Sequence, residues 1–244
     1  MSKEKTAAII GVGPENGLGG ALAKRFASEG LHVFIVGRTE ERLQALAKII
    51  TEAGGKATPL VADATKEQDL ISVFEKTNSG NNQLELVTHT VDSNLQAPLL
   101  ETSVEMYEEL WRKNSLSGFL VSREALKQMQ KHNSGTLIIT GATASLKARP
   151  PFTAFAAAKA SLRALALGAA REFGPQGIHV VHAVIDGVIN GDRARNQFPE
   201  YVKQKGDEGL IQLEDIAEVY WSLHCQPKSA WSSETDIRPF KEIF

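Results

Sequence analysis

The sequence predicts an α/β protein built on one doubly wound parallel sheet. Apolar runs of strand length alternate with longer segments of helical period along the whole chain, and the first turn between them is rich in glycine. A chain of 244 residues with 42% hydrophobic residues can bury one sizeable core. No linker rich in Pro, Gly or Ser divides it, so residues 1–244 read as a single domain.

The expected strands are Ala7–Val12, Val33–Val36, Ala57–Val61, Leu84–Val87, Thr136–Thr140 and His179–Val184, each followed by a helix. The opening Met1-Ser-Lys-Glu-Lys-Thr6 runs straight into the first of them, without the length or cleavage pattern of a signal peptide. Gly30 stands where the first helix should end, and Thr65-x-x-Gln68 predicts a capping box that opens the helix after the third strand. Asn78–Asn82 reads as a short polar loop. Asp186–Gly209 carries many charges and little periodicity, and reads as a mobile excursion at the end of the sheet where loops line a ligand crevice. Ser229–Phe240 reads as a last strand and an ordered terminus.

A formal charge of -2 argues against the basic face that nucleic acid or an anionic membrane demands, and no apolar run approaches membrane length. Cys225 is the only cysteine, so no internal disulfide can form, and it has no metal partners at ligand spacing. These features predict a reducing compartment, the cytoplasm.

The first strand is followed by Gly13-Pro-Glu-Asn16-Gly17-Leu18-Gly19 and then by an amphipathic helix. Small residues in that position let backbone amides approach a pyrophosphate at a helix N-terminus, where the helix dipole favours an anion. The spacing Gly-x-x-x-Gly-x-Gly, with further marks in the same order along most of the chain, resembles the short-chain dehydrogenase/reductase family. The resemblance implies a Rossmann-type fold, a nicotinamide dinucleotide, a small-molecule substrate and a homodimer or homotetramer. It assigns Gly13, Asn16, Gly17, Leu18 and Gly19 to the pyrophosphate loop. Arg38 and Thr39, after the second strand, stand where relatives that prefer NADP meet the 2′-phosphate, which makes NADP the expected cofactor over NAD; a solvated charge at a helix start is the alternative for Arg38. Asp63 matches the residue that touches adenine, and equally suits a turn or cap. Gly187 and Ile189, after the sixth strand, match positions beside the nicotinamide.

Family members use a serine to position a carbonyl, a tyrosine to relay the proton, a lysine to hold the ribose and an asparagine to anchor water. Here the serine position is Ala142 and the tyrosine position Phe155, whereas Asn114 and Lys159 match the other two. Thr88-His89-Thr90-Val91 replaces Asn-Asn-Ala-Gly, and Asp186-Gly187 replaces Pro-Gly. His89 and Asp186 are candidate new acid/base groups, with a hydrogen-bonded structural role as the alternative for a histidine at a strand end. Tyr201, Thr143, Ser145 or a water between Asn114 and Lys159 are candidate proton donors. The alanine-rich Ala154–Ala170 and the helix Ser117–Lys131 match the family's dimer interface, or pack inside one subunit. Two readings of function follow. One is an NADP(H)-dependent oxidoreductase acting on a small carbonyl-like or polarised substrate, supported by Asn114 and Lys159. The other is a catalytically inactive NADP(H)-binding sensor or scaffold, supported by Ala142 and Phe155.

Overall fold

Period-two burial starts the fold. In the computed structural model, which describes residues 3–242, strand β1 (Glu4–Ile10) sends Ala7 and Ile9 to one face of the sheet and Ala8 and Ile10 to the other. Both faces are buried, so β1 has to lie inside a sheet covered on two sides. It pairs in parallel with β2 (His32–Gly37) and with β4 (Asn82–His89), while β3 (Lys56–Val61) flanks β2. Beyond β4 lie β5 (Gly135–Thr140), β6 (Ile178–Ile185) and β7 (Glu234–Ile237), giving the order β3-β2-β1-β4-β5-β6-β7.

Helices α1 (Leu18–Ser28), α2 (Glu40–Glu52) and α9 (Leu213–His224) cover one face with Phe26, Leu43 and Tyr220. The other face takes α3 (Glu67–Thr77), α5 (Ser117–Gln130) and α6 (Thr153–Phe173), with Phe74, Val121 and Leu162 inside. Tyr220 is fully buried; its hydroxyl lies 3.0 Å from Thr140 Oγ1, and burial pushes the phenol's pKa up. The short α4 (Val104–Trp111) precedes α5, separated from it by a π-helical turn over Arg112–Leu116.

The chain leaves β1 toward β2 and β3, then returns past β1 to form β4. The reversal opens a crevice at the carboxyl ends of β1 and β4, the place where ligands bind in open α/β sheets.

Two local expectations are corrected. Thr65 does not cap α3: the helix starts at Glu67 after Lys66, and the Thr65 amide and hydroxyl both donate to Asp63 Oδ1, at 2.9 and 2.8 Å. Asp63 sits two residues before Thr65 and takes its hydroxyl before a helix end can use it. The segment after β6 is not an irregular excursion either, because it folds into α7 (Asp192–Gln197), α8 (Pro199–Lys205) and a 3-10 turn over Asp207–Gly209. Helices this short bury only Ala194 and Gly209 in that stretch, which leaves too little apolar periodicity to see in the sequence.

Candidate active site

The glycine loop occupies the crevice mouth, and close packing explains much of it. A Cβ on Gly11, whose φ is +110°, would stand 2.6 Å from the Val91 amide nitrogen, so β1 and the segment after β4 pass in direct backbone contact. Gly13 differs: a Cβ there would meet no protein atom within 4 Å. Open space over Gly13 is room for a ligand, whereas a Cβ on Gly19 would stand 3.0 Å from Val12 Cα. Gly17 is the N-terminal flanking residue of α1, and no side chain caps that end. The first-turn amides from Leu18 onward are therefore available to an anion.

Arg38 and Thr39 are exposed at the β2–α2 junction. Burial acts to raise the Asp63 pKa, but the two Thr65 hydrogen bonds and the charges of Arg38 and Lys66 outweigh it and hold the carboxylate below its ordinary value. Asp63 closes a turn, and Asp69 Oδ2 accepts from the Asp63 amide at 2.9 Å.

At the reaction end, α6 carries Phe155 and Lys159 one turn apart, both turned inward. Phe155 joins an apolar cluster with Leu110, Ala154 and Ala142, so the two residues at the positions of the family's tyrosine and serine pack against the same group. The Lys159 ammonium, 1% exposed, stands 5.7 Å from the centre of the Phe155 ring. It donates to Thr140 O at 3.3 Å and pairs with Asp92 Oδ1 at 3.0 Å. Asp92 Oδ2 is in turn 2.8 Å from Arg193 on α7. Burial works to raise the Asp92 pKa, and the Lys159 and Arg193 charges overcome it, leaving the carboxylate below its ordinary value.

Asp92 and Arg193 were not among the residues singled out from the sequence. Each is a lone charge in a loop or short helix, and the only signal was the place of Asp92 just beyond the fourth strand.

Asn114 lies in the π-helical turn and is fully buried. Its amide donates to Ser93 O and Leu110 O, both at 2.9 Å, and its oxygen accepts from the Ser93 amide at 3.4 Å. The side chains of Asn114 and Lys159 each have protein partners, and they are linked through the Ser93–Asp92 segment. Asn114 anchors the segment that carries Asp92.

Thr143 donates to Asp186 Oδ1 at 2.6 Å, whereas Ser145 Oγ turns back to accept from the Ala142 amide at 3.1 Å. His89 is wholly buried. Ser117 Oγ donates to Lys113 O at 2.6 Å, so His89 Nε2–H is the donor in its 2.8 Å contact with Ser117 Oγ. Burial first, and then the Lys159 charge, pull the His89 pKa down to about 3. A neutral, inward-facing imidazole fits the structural role. Tyr201 is on α8 with its ring exposed beside Lys205, and shares no bond with Lys159 or Asp186.

The segment after β6 leans on the glycine loop. The Asp192 amide donates to Asn16 O at 2.8 Å, and a Cβ on Gly191 would come within 2.7 Å of that oxygen. Ile189 bridges to Ile211 and packs on the first core face, while Gly187 lies against Pro239.

A glycine loop at the switch point, with a buried lysine at the carboxyl end of the neighbouring strands, defines a doubly wound protein of the dinucleotide-binding class. The profile of the short chain dehydrogenase family matches residues 5–201, and the chain belongs to that family. The oxidoreductase YuxG of Bacillus subtilis is 32% identical over 182 residues, 73% of this chain but only 26% of YuxG, so the chain spans about a quarter of that relative. A short-chain dehydrogenase from Rhodopseudomonas palustris is 34% identical, with a TM-score of 0.83 over 98% of this chain and 100% of its own. A variant of the actinorhodin polyketide ketoreductase, crystallised with NADPH, shares the fold at a TM-score of 0.87 and 18% identity, with 98% of each chain covered. Among the described residues no helix is long and apolar enough to cross a membrane, and no group of three His, Cys, Asp or Glu could hold a metal ion.

Proposed function

We propose that the protein binds NADP(H) and acts as an oxidoreductase with an altered active site, on a small carbonyl-like or polarised substrate. The observation that carries this reading is the buried Lys159 ammonium, paired with Asp92 at 3.0 Å at the end of the crevice that begins at the open glycine loop. Burying a lysine is costly even when its charge is paired, and the place of this pair at the end of the crevice is what the cofactor reading accounts for.

The residues present fit the cofactor. Gly13, Asn16, Gly17, Leu18 and Gly19 would hold the pyrophosphate, with the space over Gly13 and the uncapped start of α1 as its seat. Arg38 and Thr39 would take the 2′-phosphate, Asp63 the adenine, Lys159 the ribose, and Gly187 and Ile189 the nicotinamide end. A ketoreductase of the same fold crystallised with NADPH is in keeping with this. A bound nicotinamide supplies or accepts hydride. Lys159 then orients the ribose, Phe155 excludes water without offering a proton, and Asn114 fixes the loop that holds Asp92. A missing positioned acid costs about 10²–10⁴ in rate, which slows the chemistry without forbidding it.

A sensor or scaffold without catalysis is the second reading. The packing of Phe155 and Ala142 into one apolar cluster favours it, since that corner offers a carbonyl no polar contact.

Self-association is proposed on two exposed faces. Ala157, Ala160, Ser161, Ala164 and Gly168 form a solvent-facing small-residue stripe on α6, and Tyr107, Trp111 and Phe119 are exposed on α4 and α5. Two copies packed through these helices would form a homodimer, extendable to a homotetramer. A cytoplasmic setting accords with the free thiol of Cys225.

Calorimetric titration tests the cofactor reading. NADPH should bind more tightly than NADH, and Arg38→Asp should erase or reverse the preference by replacing a phosphate partner with a repelling charge. Equal dissociation constants for the two cofactors with the unmodified protein refute it.

A further inference from the structure

We propose that Thr143 and Asp186 select a substrate whose reacting carbon is bonded to a protonated nitrogen, an iminium or the amine it becomes. This inference rests on the oxidoreductase reading and names the substrate class for it.

Hydrogen-bond direction at the reaction end favours a ligand that donates. A carbonyl oxygen gains negative charge as hydride adds to its carbon, and it needs donors. Near the positions of Ala142 and Phe155 the donors of Thr143 and Asn114 are already spent. Thr143 gives its proton to Asp186 Oδ1 at 2.6 Å, and a hydroxyl so committed has only lone pairs left to offer. Asn114 spends its amide on Ser93 O and Leu110 O, whereas Ser145 Oγ accepts from the Ala142 amide and keeps its own proton. The Lys159 ammonium is bound by Asp92 Oδ1 and Thr140 O, so its charge is matched before any substrate arrives.

The unused capacity at Asp186 is of the opposite kind. Asp186 is 5% exposed; its Oδ2 makes no hydrogen bond and is ion-paired with Arg238 Nη1 at 3.8 Å, too long to satisfy its lone pairs. Thr143 Oγ1 and Asp186 Oδ2 together present acceptors at the end of β6, next to Gly187. A developing alkoxide would meet lone pairs there. An iminium N–H⁺ would instead donate to them and be stabilised by the carboxylate.

The chemistry balances without the missing acid. With a reduced nicotinamide bound as proposed, a hydride and its electron pair form the new C–H bond, the C=N π pair moves onto nitrogen, and the iminium becomes a neutral amine while the cofactor is oxidised. No proton enters. Phe155 and Ala142, which would cripple carbonyl reduction, cost such a step nothing in proton supply.

The test compares ligands of one shape and two polarities. Cofactor binding is measured first by calorimetry; protein saturated with NADP⁺ is then titrated with piperidinium chloride and, separately, with cyclohexanone. Piperidinium should bind about tenfold more tightly or better, and Asp186→Asn should remove that advantage while NADPH affinity stays within about twofold. Thr143→Ser, which retains the hydroxyl, should keep it. Oxidation of NADPH should proceed with a cyclic imine such as 2,3,4,5-tetrahydropyridine and be at least about tenfold slower with cyclohexanone. Failure of NADPH to bind at all sinks the cofactor reading and this inference with it. With NADPH bound, cyclohexanone binding as tightly as piperidinium, or Asp186→Asn leaving piperidinium affinity unchanged, overturns the inference alone. Should Asp186→Asn fail to fold, the comparison of the two ligands on the unmodified protein decides.

Discussion

Replacing Asp92 with Asn removes the anion paired with the Lys159 ammonium in the interior, and the cost follows from the geometry. The pair is separated by 3.0 Å, and at an effective dielectric of about 20 the Coulomb attraction is about 5 kcal/mol. Not all of it is lost. Asn can still accept from Lys159, Thr140 O keeps its bond to the ammonium, and the Asp92 side chain is 30% exposed, so water screens part of the field. Breaking a buried pair by deleting one partner costs roughly 3–5 kcal/mol, and the partial exposure of Asp92 puts the expectation at about 3 kcal/mol. Urea unfolding followed by tryptophan fluorescence reads this directly. The same substitution in a Lys159→Met background should cost less than about 1 kcal/mol, because the cation that then loses Asp92, Arg193, is exposed to water and keeps Asn94. Acid should act on the unmodified protein in the same sense. The Asp92 pKa is depressed by folding, so its contribution is complete above the unfolded value of about 4 and is lost as the pH falls through the folded pKa. Asp92→Asn should flatten that acid limb. A loss below about 0.5 kcal/mol, or equal losses with and without Lys159, would refute the view that Asp92 holds this lysine.

The remaining expectations concern the loop, the altered positions and the buried imidazole. Gly13→Ala should fold normally, since its Cβ meets nothing, yet weaken NADPH binding, whereas Gly11→Ala at φ +110° and 2.6 Å from the Val91 amide should lose at least about 2 kcal/mol in urea unfolding; equal stability of the two would contradict the packing account. The double change Phe155→Tyr with Ala142→Ser, checked for folding first because the cluster is tight, should create measurable reduction of simple ketones; a folded, NADPH-saturated variant that stays inactive would favour the sensor reading. His89, with a pKa drawn down to about 3, should stay neutral in the folded protein at pH 5 by NMR. Since the unfolded chain protonates near pH 6.5, its contribution is complete above that pH and falls by about 1.4 kcal/mol per unit below it; His89→Asn should remove this slope, and a charged His89 at pH 5 would disprove it.

The doubly wound sheet was legible because its signals are local. Alternating apolar runs mark strands buried on both faces, and the glycine spacing before α1 is a property of seven consecutive residues. Lys159 was legible for the same reason, standing one helical turn from Phe155 on α6. Where a nearby side chain competed, local reading failed: Asp63 took the Thr65 hydroxyl that the capping pattern assigned to α3. Short helices with almost no buried face, α7 and α8, left no period to read. The polarity of the site lay beyond the sequence altogether. Asp92 meets Lys159, and Thr143 meets Asp186, because β4, β5 and β6 lie side by side and bring the segments after them to one end of the sheet. Which donors are spent and which acceptors stay free depends on distances between residues far apart in the chain, and only the folded arrangement sets those distances.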